Sequence, residues 1–186
     1  VYLKGCPLRC PWCHNPESNQ PRPQLSFSAT RCVACRRCEE VCPRGVHSFV
    51  GGRHEVDFSR CAACGLCIKT CPAAALRIYG REESVEDIMI ELEADADYFD
   101  VSGGGITISG GEPMSRFKDA VSIARAVKGR GWHLCLETSG FGSQKHFDEM
   151  ARYVDIFLFD YKVTGEKAYQ GIVGIPESLV LGNLRR

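Results

Sequence analysis

From residue 84 onward the apolar positions switch between two periods. SVEDIMIELEADADYF (84–99) sets Val85, Ile88, Met89 and Leu92 on one stripe behind a serine cap and early acids, which predicts a helix. The β-branched run at 106–108 in GITISGGEP ends in two glycines and predicts a short strand; SRFKDAVSIARAVKGRG then reads as a helix with a glycine stop. The pattern repeats as a strand over 133–140 (HLCLETSG), a helix over 143–154 (SQKHFDEMARYV), a strand over 155–162 (DIFLFDYK) and a shorter helix near 166–171. VYLK at the start supplies a fourth strand. Such alternation argues for parallel βαβ units with right-handed crossovers.

Four polar motifs, CPLRCPWC, GGEP, ETSG and DYK, each stand at the C-terminal end of one predicted strand. In βα barrels ligands bind at that rim, so the four are expected to converge on one face.

The stretch between the first strand and this alternation follows another rule. CVACRRCEEVCP (Cys32, Cys35, Cys38, Cys42, Pro43) and CAACGLCIKTCP (Cys61, Cys64, Cys67, Cys71, Pro72) are two copies of C-x2-C-x2-C-x3-C-P. That is the spacing of bacterial two-cluster ferredoxins, in which the fourth Cys of each run ligates the other cluster. Carried over by position, one 4Fe-4S cluster takes Cys32, Cys35, Cys38 and Cys71, and the other Cys61, Cys64, Cys67 and Cys42. Zinc sites use cysteine pairs separated by longer loops, and two four-residue runs do not divide into two such tetrahedra. With few large side chains for a core, this module is expected to draw much of its folding free energy from metal-ligand bonds. The expected division is residues 1–29 (first strand and an opening cysteine loop), 30–79 (two-cluster insert) and 80–186 (the rest of an incomplete barrel).

The opening run differs. Cys6, Cys10 and Cys13 give C-x3-C-x2-C, with Trp12 before the last. Three thiolates on a cubane of four irons leave one iron free for a substrate. The one cysteine outside these three clusters, Cys135, alternates with Leu134 and Leu136 and reads as a buried thiol.

Composition narrows the setting. Across 186 residues, 44% are hydrophobic and 25% charged, as in a globular protein, and no apolar run nears the ~20 residues of a membrane helix. Lys plus Arg and Asp plus Glu are 23 each, which leaves no basic surplus for nucleic acid. The first residues given do not have the charged, apolar and small-residue layout expected of a secretory signal. Thiolates kept for iron point to a reducing cytoplasm.

C-x3-C-x-aromatic-C is the signature of the radical S-adenosylmethionine (radical SAM) superfamily, and GCPLRCPWCHNPE resembles its glycyl-radical-enzyme activating branch. With the double ferredoxin run downstream, the chain looks like activases of the glycerol dehydratase, hydroxyphenylacetate decarboxylase, choline lyase and arylsuccinate synthase type, and unlike the shorter pyruvate formate-lyase activase. The resemblance implies that Cys6, Cys10 and Cys13 hold a 4Fe-4S cluster whose open iron chelates the amino and carboxylate groups of SAM. An electron from it then cleaves the sulfonium to methionine and a 5′-deoxyadenosyl radical, which takes hydrogen from a backbone glycine of a partner enzyme. Gly110, Gly111 and Glu112 match the motif that binds the methionyl amine. Glu137 with Thr138, and Asp160 with Lys162, match motifs near SAM, while Trp12 packs beside the cluster. Three 4Fe-4S clusters, SAM, a glycyl-radical enzyme as protein substrate and an electron donor such as flavodoxin or ferredoxin are the implied cofactors and partners. A relay from the ferredoxin-type clusters to the SAM cluster is the favoured role for the insert. The family's Asp-Gly-Pro-Gly-Ile-Arg turn before the first strand and its further strands after Asp-x-Lys have no counterpart in this sequence, and Val163, Thr164 and Gly165 stand where another acid is usual. The expected fold is therefore a partial radical SAM (βα) barrel, short at both ends, with an inserted ferredoxin-like domain. The alternatives from the residues alone are an iron-sulfur electron carrier and a radical SAM enzyme acting on a small molecule.

Overall fold

A computed structural model describes residues 1–185. They form two compact units: Val1–Pro21 together with the chain from Glu83 onward, and Arg22–Glu82. In chain order the strands are β1 (Tyr2–Leu3), β2 (Gln24–Phe27), β3 (His47–Val50), β4 (Arg53–Val56), β5 (Leu76–Tyr79), β6 (Gly105–Gly110), β7 (His133–Thr138) and β8 (Ile156–Phe159).

The first unit is built on a four-stranded sheet ordered β1-β6-β7-β8, parallel throughout. Alternate residues of the central strands, Ile106 and Ile108 on β6 and Leu134 and Leu136 on β7, are buried. Against them the helix Phe117–Gly129 buries Ala120, Val121, Ile123, Ala124 and Val127, the spacing of one helical face. Each large apolar side chain so buried contributes about 1.5–3 kcal/mol. An exposed pair such as Arg125–Glu149, at 2.6 Å, contributes about 1 kcal/mol or less, so packing holds this helix. A second apolar cluster, of Leu8, Tyr169, Val173, Ile175 and Val180, lies near the start of the chain in space. It anchors the loop after β1, where Arg9 N–H also donates to the Val173 carbonyl at 2.8 Å.

The second unit holds two antiparallel pairs, β2 with β5 and β3 with β4, and two short helices, Arg37–Val41 and Leu66–Lys69. Its buried apolar cluster is small: Leu25, Val46 and Leu76 with the thiols of Cys38 and Cys67. The two cysteine runs repeat each other in backbone conformation. Ala34 and Ala63 both have φ of 52°, Arg36 and Gly65 have 65° and 77°, and Gly45 and Ala74 have 54° and 47°. These are the same offsets from the first or fourth cysteine of each run. A left-handed alanine costs roughly 1–2 kcal/mol, and three of them at repeated positions show a loop shape imposed by something other than local preference.

Three elements differ from the sequence expectation. The helix expected over 84–99 is two, Val85–Glu93 and Ala96–Ser102, because Asp95 leaves helical geometry (φ −104°, ψ 7°) between them. The one near 166–171 is a single turn, Glu166–Ala168, continuing as a π-helix over Tyr169–Val173. A further helix, Glu177–Leu184, follows. Among the described residues no helix is long and apolar enough to cross a membrane.

Candidate functional site

In a parallel sheet all C-terminal strand ends share one edge, and here that edge opens into a cavity of about 500 Å³. Every strand of the first unit contributes to its wall. Cys6, Cys10, Trp12 and Cys13 come from the loop after β1, Gly110 and Gly111 from the end of β6, Glu137 and Thr138 from the end of β7, and Asp160 and Lys162 from beyond β8.

The cysteine loop is fixed by backbone rather than by regular structure. Gly5 N–H donates to Ser18 O at 2.7 Å, Cys6 N–H to Asn19 O at 3.1 Å, and Cys13 N–H to Cys10 O at 3.1 Å. Leu8, 4% exposed, pins the middle of the loop into the second apolar cluster. The three thiols are free of disulfides. Burial pushes the Cys6 thiol up; burial does the same for Cys10, opposed by the Lys162 charge. Thiols held protonated this way become thiolates when a metal takes the proton's place.

Gly110 and Gly111 are there because nothing larger fits. A Cβ on Gly110 would stand 2.2 Å from the Leu3 carbonyl oxygen, at a φ of 121°, and one on Gly111 would stand 2.4 Å from the Gly5 carbonyl oxygen. The backbone of this turn thus lies against the cysteine loop and faces the cavity.

Glu112 does not. Its side chain is 1% exposed and absent from the cavity wall. One carboxylate oxygen accepts from Met114 N–H at 2.9 Å and Thr138 Oγ1–H at 2.7 Å; the other accepts from Ser139 N–H at 2.8 Å and from the Ser139 hydroxyl. Burial pushes this carboxyl up, and the four donors oppose the shift. Both oxygens of Glu112 are taken up in joining the GGEP turn to the ETSG turn, and the part of the motif that lines the cavity is Gly110 and Gly111.

Glu137 faces the cavity and accepts from Ser109 Oγ–H at 2.6 Å. Lys162 donates to Asp160, and although burial works against its charge, that carboxylate holds its pKa up. The wall therefore carries a cation paired with a carboxylate, a second carboxylate and exposed glycine backbone, a set suited to a ligand bearing both amine and carboxylate groups. The sequence reading passed over Asn15, Asn19, Ser109 and Ser139, which also line the cavity. Ser109 precedes GGEP and Ser139 lies within ETSG, though neither was singled out; the two asparagines lie in a Pro-rich stretch with no periodic signal.

In the second unit, Cys32, Cys35, Cys38 and Cys71 line one cavity, and Cys42, Cys61, Cys64 and Cys67 another. Each set takes three sulfurs from one run and the last from the other. Burial pushes the Cys67 thiol up to about 11 and the Cys38 thiol in the same direction. Backbone N–H groups of Val46, Ala63 and Ala75 donate to Cys42, Cys61 and Cys71 at 3.3–3.4 Å. Two histidines that the sequence reading did not single out stand here as well: His54 lines the first cavity and His47 the second.

The chain is similar in sequence to known proteins. The chain is 40% identical to the (2S)-3-sulfopropanediol sulfolyase activating enzyme of Bilophila wadsworthia, over 99% of this chain and 62% of that protein. It is 37% identical to the choline trimethylamine-lyase activating enzyme of Oleidesulfovibrio alaskensis (99% and 60%), and 42% identical to the benzylsuccinate synthase activating enzyme of Thauera aromatica (99% and 57%). The chain thus spans about six-tenths of the length of these relatives. Residues 1–178 match the sequence profile of the Radical SAM superfamily. Since that match takes in the three-cysteine loop and all four strand ends of the cavity, the chain belongs to the radical SAM superfamily.

Proposed function

We propose that this chain is the core of a glycyl-radical enzyme activating enzyme, with Cys6, Cys10 and Cys13 holding a 4Fe-4S cluster at which SAM binds. Family membership implies one such cluster and SAM. The residues fit the pair: three free thiols and an amine- and carboxylate-binding set share one cavity of about 500 Å³, within the range of small-molecule sites. When bound, the reduced cluster supplies the electron that splits SAM into methionine and a 5′-deoxyadenosyl radical, and that radical takes hydrogen from a glycine of the partner enzyme.

The protein's own part is placement. Gly110 and Gly111 bring backbone carbonyls to the methionyl amine, and Lys162, kept charged by Asp160, takes the carboxylate. Glu137 faces ribose hydroxyls. Thr138, fixed by Glu112, shapes the wall opposite the cysteine loop. Trp12, 48% exposed, lines the cavity beside the three cysteines.

The two crossed four-thiol sets of the second unit are read as ligands of two auxiliary 4Fe-4S clusters in a ferredoxin-like insert. The donor chemistry supports this: eight free thiols lie in two sets of four, each set lining its own cavity. Their role is to pass electrons from a flavodoxin- or ferredoxin-type donor toward the SAM cluster. The partner is a glycyl-radical enzyme, as the names of the relatives suggest.

The observation that carries the reading is the convergence of Cys6, Cys10 and Cys13 with Gly110, Gly111 and Lys162 on one cavity. Its test is product analysis with the anaerobically reconstituted, reduced chain. Equal amounts of 5′-deoxyadenosine and methionine are expected from SAM, and none from Cys10→Ala. Equal turnover by wild type and Cys10→Ala would refute it.

A further inference from the structure

His54 stands among the sulfurs of the first four-thiol set. Its Nδ1 is 3.4 Å from Cys32 Sγ and its Nε2 3.7 Å from Cys38 Sγ. The ring is fixed on three sides: stacked on Phe49 (centroids 4.5 Å apart, planes at 11°), met edge-on by Phe27 at 4.4 Å, and joined to His47, whose Nδ1 lies 3.0 Å from His54 Nε2. The β3–β4 register makes this meeting. Phe49 pairs with His54, so His47 is the diagonal neighbour on the same face.

The 3.0 Å contact between the two ring nitrogens holds one hydrogen, since two bare lone pairs or two N–H groups would repel at that distance. Two arrangements satisfy it. If His54 donates from Nε2, its bare Nδ1 directs a lone pair at Cys32 Sγ, which as a metal-bound thiolate can only accept. If His47 donates from Nδ1, the hydrogen of His54 is on Nδ1 and points at that sulfur. His47 Nε2 lacks a partner in the protein in both arrangements and does not decide between them. The second arrangement is favoured, since it places the hydrogen on the shorter nitrogen–sulfur contact, 3.4 Å to Cys32, and leaves the bare nitrogen to the longer one, 3.7 Å to Cys38.

We propose that His54, oriented by His47, donates an N–H hydrogen bond to the Cys32 sulfur and thereby raises the reduction potential of the first auxiliary cluster. The proposal rests on reading the four-thiol sets as cluster ligands. A donor on a ligand sulfur stabilises the reduced, more negative cluster more than the oxidised one, which is the sign of the effect. The backbone donors of Val46, Ala63 and Ala75 act the same way on Cys42, Cys61 and Cys71, but they are part of the loop shape. His54 is a side-chain donor that substitution can remove. His47 and His54 act here as positioning and tuning residues, not as ligands.

The test is a redox titration of the full chain carrying all its clusters, followed by electron paramagnetic resonance. In His54→Leu the midpoint potential of one auxiliary cluster should fall, with the other auxiliary cluster and the SAM cluster unchanged. The shifted signal should be the one lost in Cys35→Ala. His54→Asn, whose amide nitrogen can stand near the Nδ1 position, should restore most of the potential. His47→Leu, which leaves His54 in place but no longer fixes its hydrogen, should lower the same potential by a smaller amount and gives a second reading should His54→Leu fail to assemble. Unchanged auxiliary potentials in His54→Leu, or in His47→Leu where the former does not assemble, would overturn the proposal. Wild-type protein with iron for one cluster only would overturn the reading beneath it, a distinguishable failure.

Discussion

Glu112 and Thr138 are joined by a 2.7 Å hydrogen bond between a buried carboxylate and a buried hydroxyl, 26 positions apart in the chain. With the two bonds from Ser139, it locks the ends of β6 and β7 together beside the cavity. Glu112→Gln puts an amide NH2 where a carboxylate oxygen accepts two hydrogens, leaving buried donors facing each other. A loss of roughly 1–3 kcal/mol is expected, read by urea unfolding followed through the fluorescence of buried Trp132. An unchanged midpoint would mean that this carboxylate does not tie the turns.

Gly110→Ala asks whether β1 is held against β6 by close backbone approach. The added Cβ would lie 2.2 Å from the Leu3 carbonyl oxygen, a backbone atom that moves only if the strand does. A destabilisation of about 3 kcal/mol or more is expected, with SAM binding weakened because the Cys6 loop follows directly from β1. Wild-type stability and SAM affinity in this variant would contradict the packing described.

Asp155 gives a prediction in pH. Lys128 Nζ donates to it at 2.8 and 3.0 Å and Leu134 N–H at 2.7 Å, and these hold its carboxyl below its ordinary value of 3.8. A depressed carboxyl adds stability that is complete above the ordinary value and is lost as pH falls through the lowered one. The side chain is 34% exposed, so the contribution is small, about 0.5–1 kcal/mol. Asp155→Asn should lose that amount at neutral pH and converge with wild type in strong acid. A constant difference across the acid range would show that the charge plays no part.

Much of the fold can be read from residue patterns, and what cannot has a common cause. The strands centred on Ile106–Ile108 and Leu134–Leu136 announce themselves by period-two burial, and the helix after them by its apolar face. The last helix, Glu177–Leu184, carries no such stripe: it buries Val180 and Asn183, and its apolar residues are spread around the axis. The cavity-lining cysteines and glycines stand in motifs, whereas the inward turn of Glu112 depends on Thr138 and Ser139, known only once β6 and β7 are neighbours. His47 and His54, seven residues apart, match no ligand spacing. Only hairpin register brings them together.

Ala74→Gly tests whether the cysteine loops are strained. Ala74 is exposed with φ at 47°, where glycine is at ease. The second unit should gain about 0.5–1 kcal/mol, somewhat less than the full cost of a left-handed alanine because glycine has a freer unfolded chain. A loss of stability, measured with clusters intact, would mean that the loop is not strained at this point.

The central claim is that three cysteines share one metal centre that meets SAM. The most direct measurement is electron paramagnetic resonance of the anaerobically reconstituted, reduced chain with and without SAM, beside an iron count. Three 4Fe-4S clusters give about twelve irons per chain, and one signal should shift on adding SAM while the others do not. Cys10→Ala should abolish that shift and keep the remaining signals, and Cys135→Ala should leave it unchanged. Spectra indifferent to SAM, or a SAM-induced shift that survives Cys10→Ala, would contradict the account.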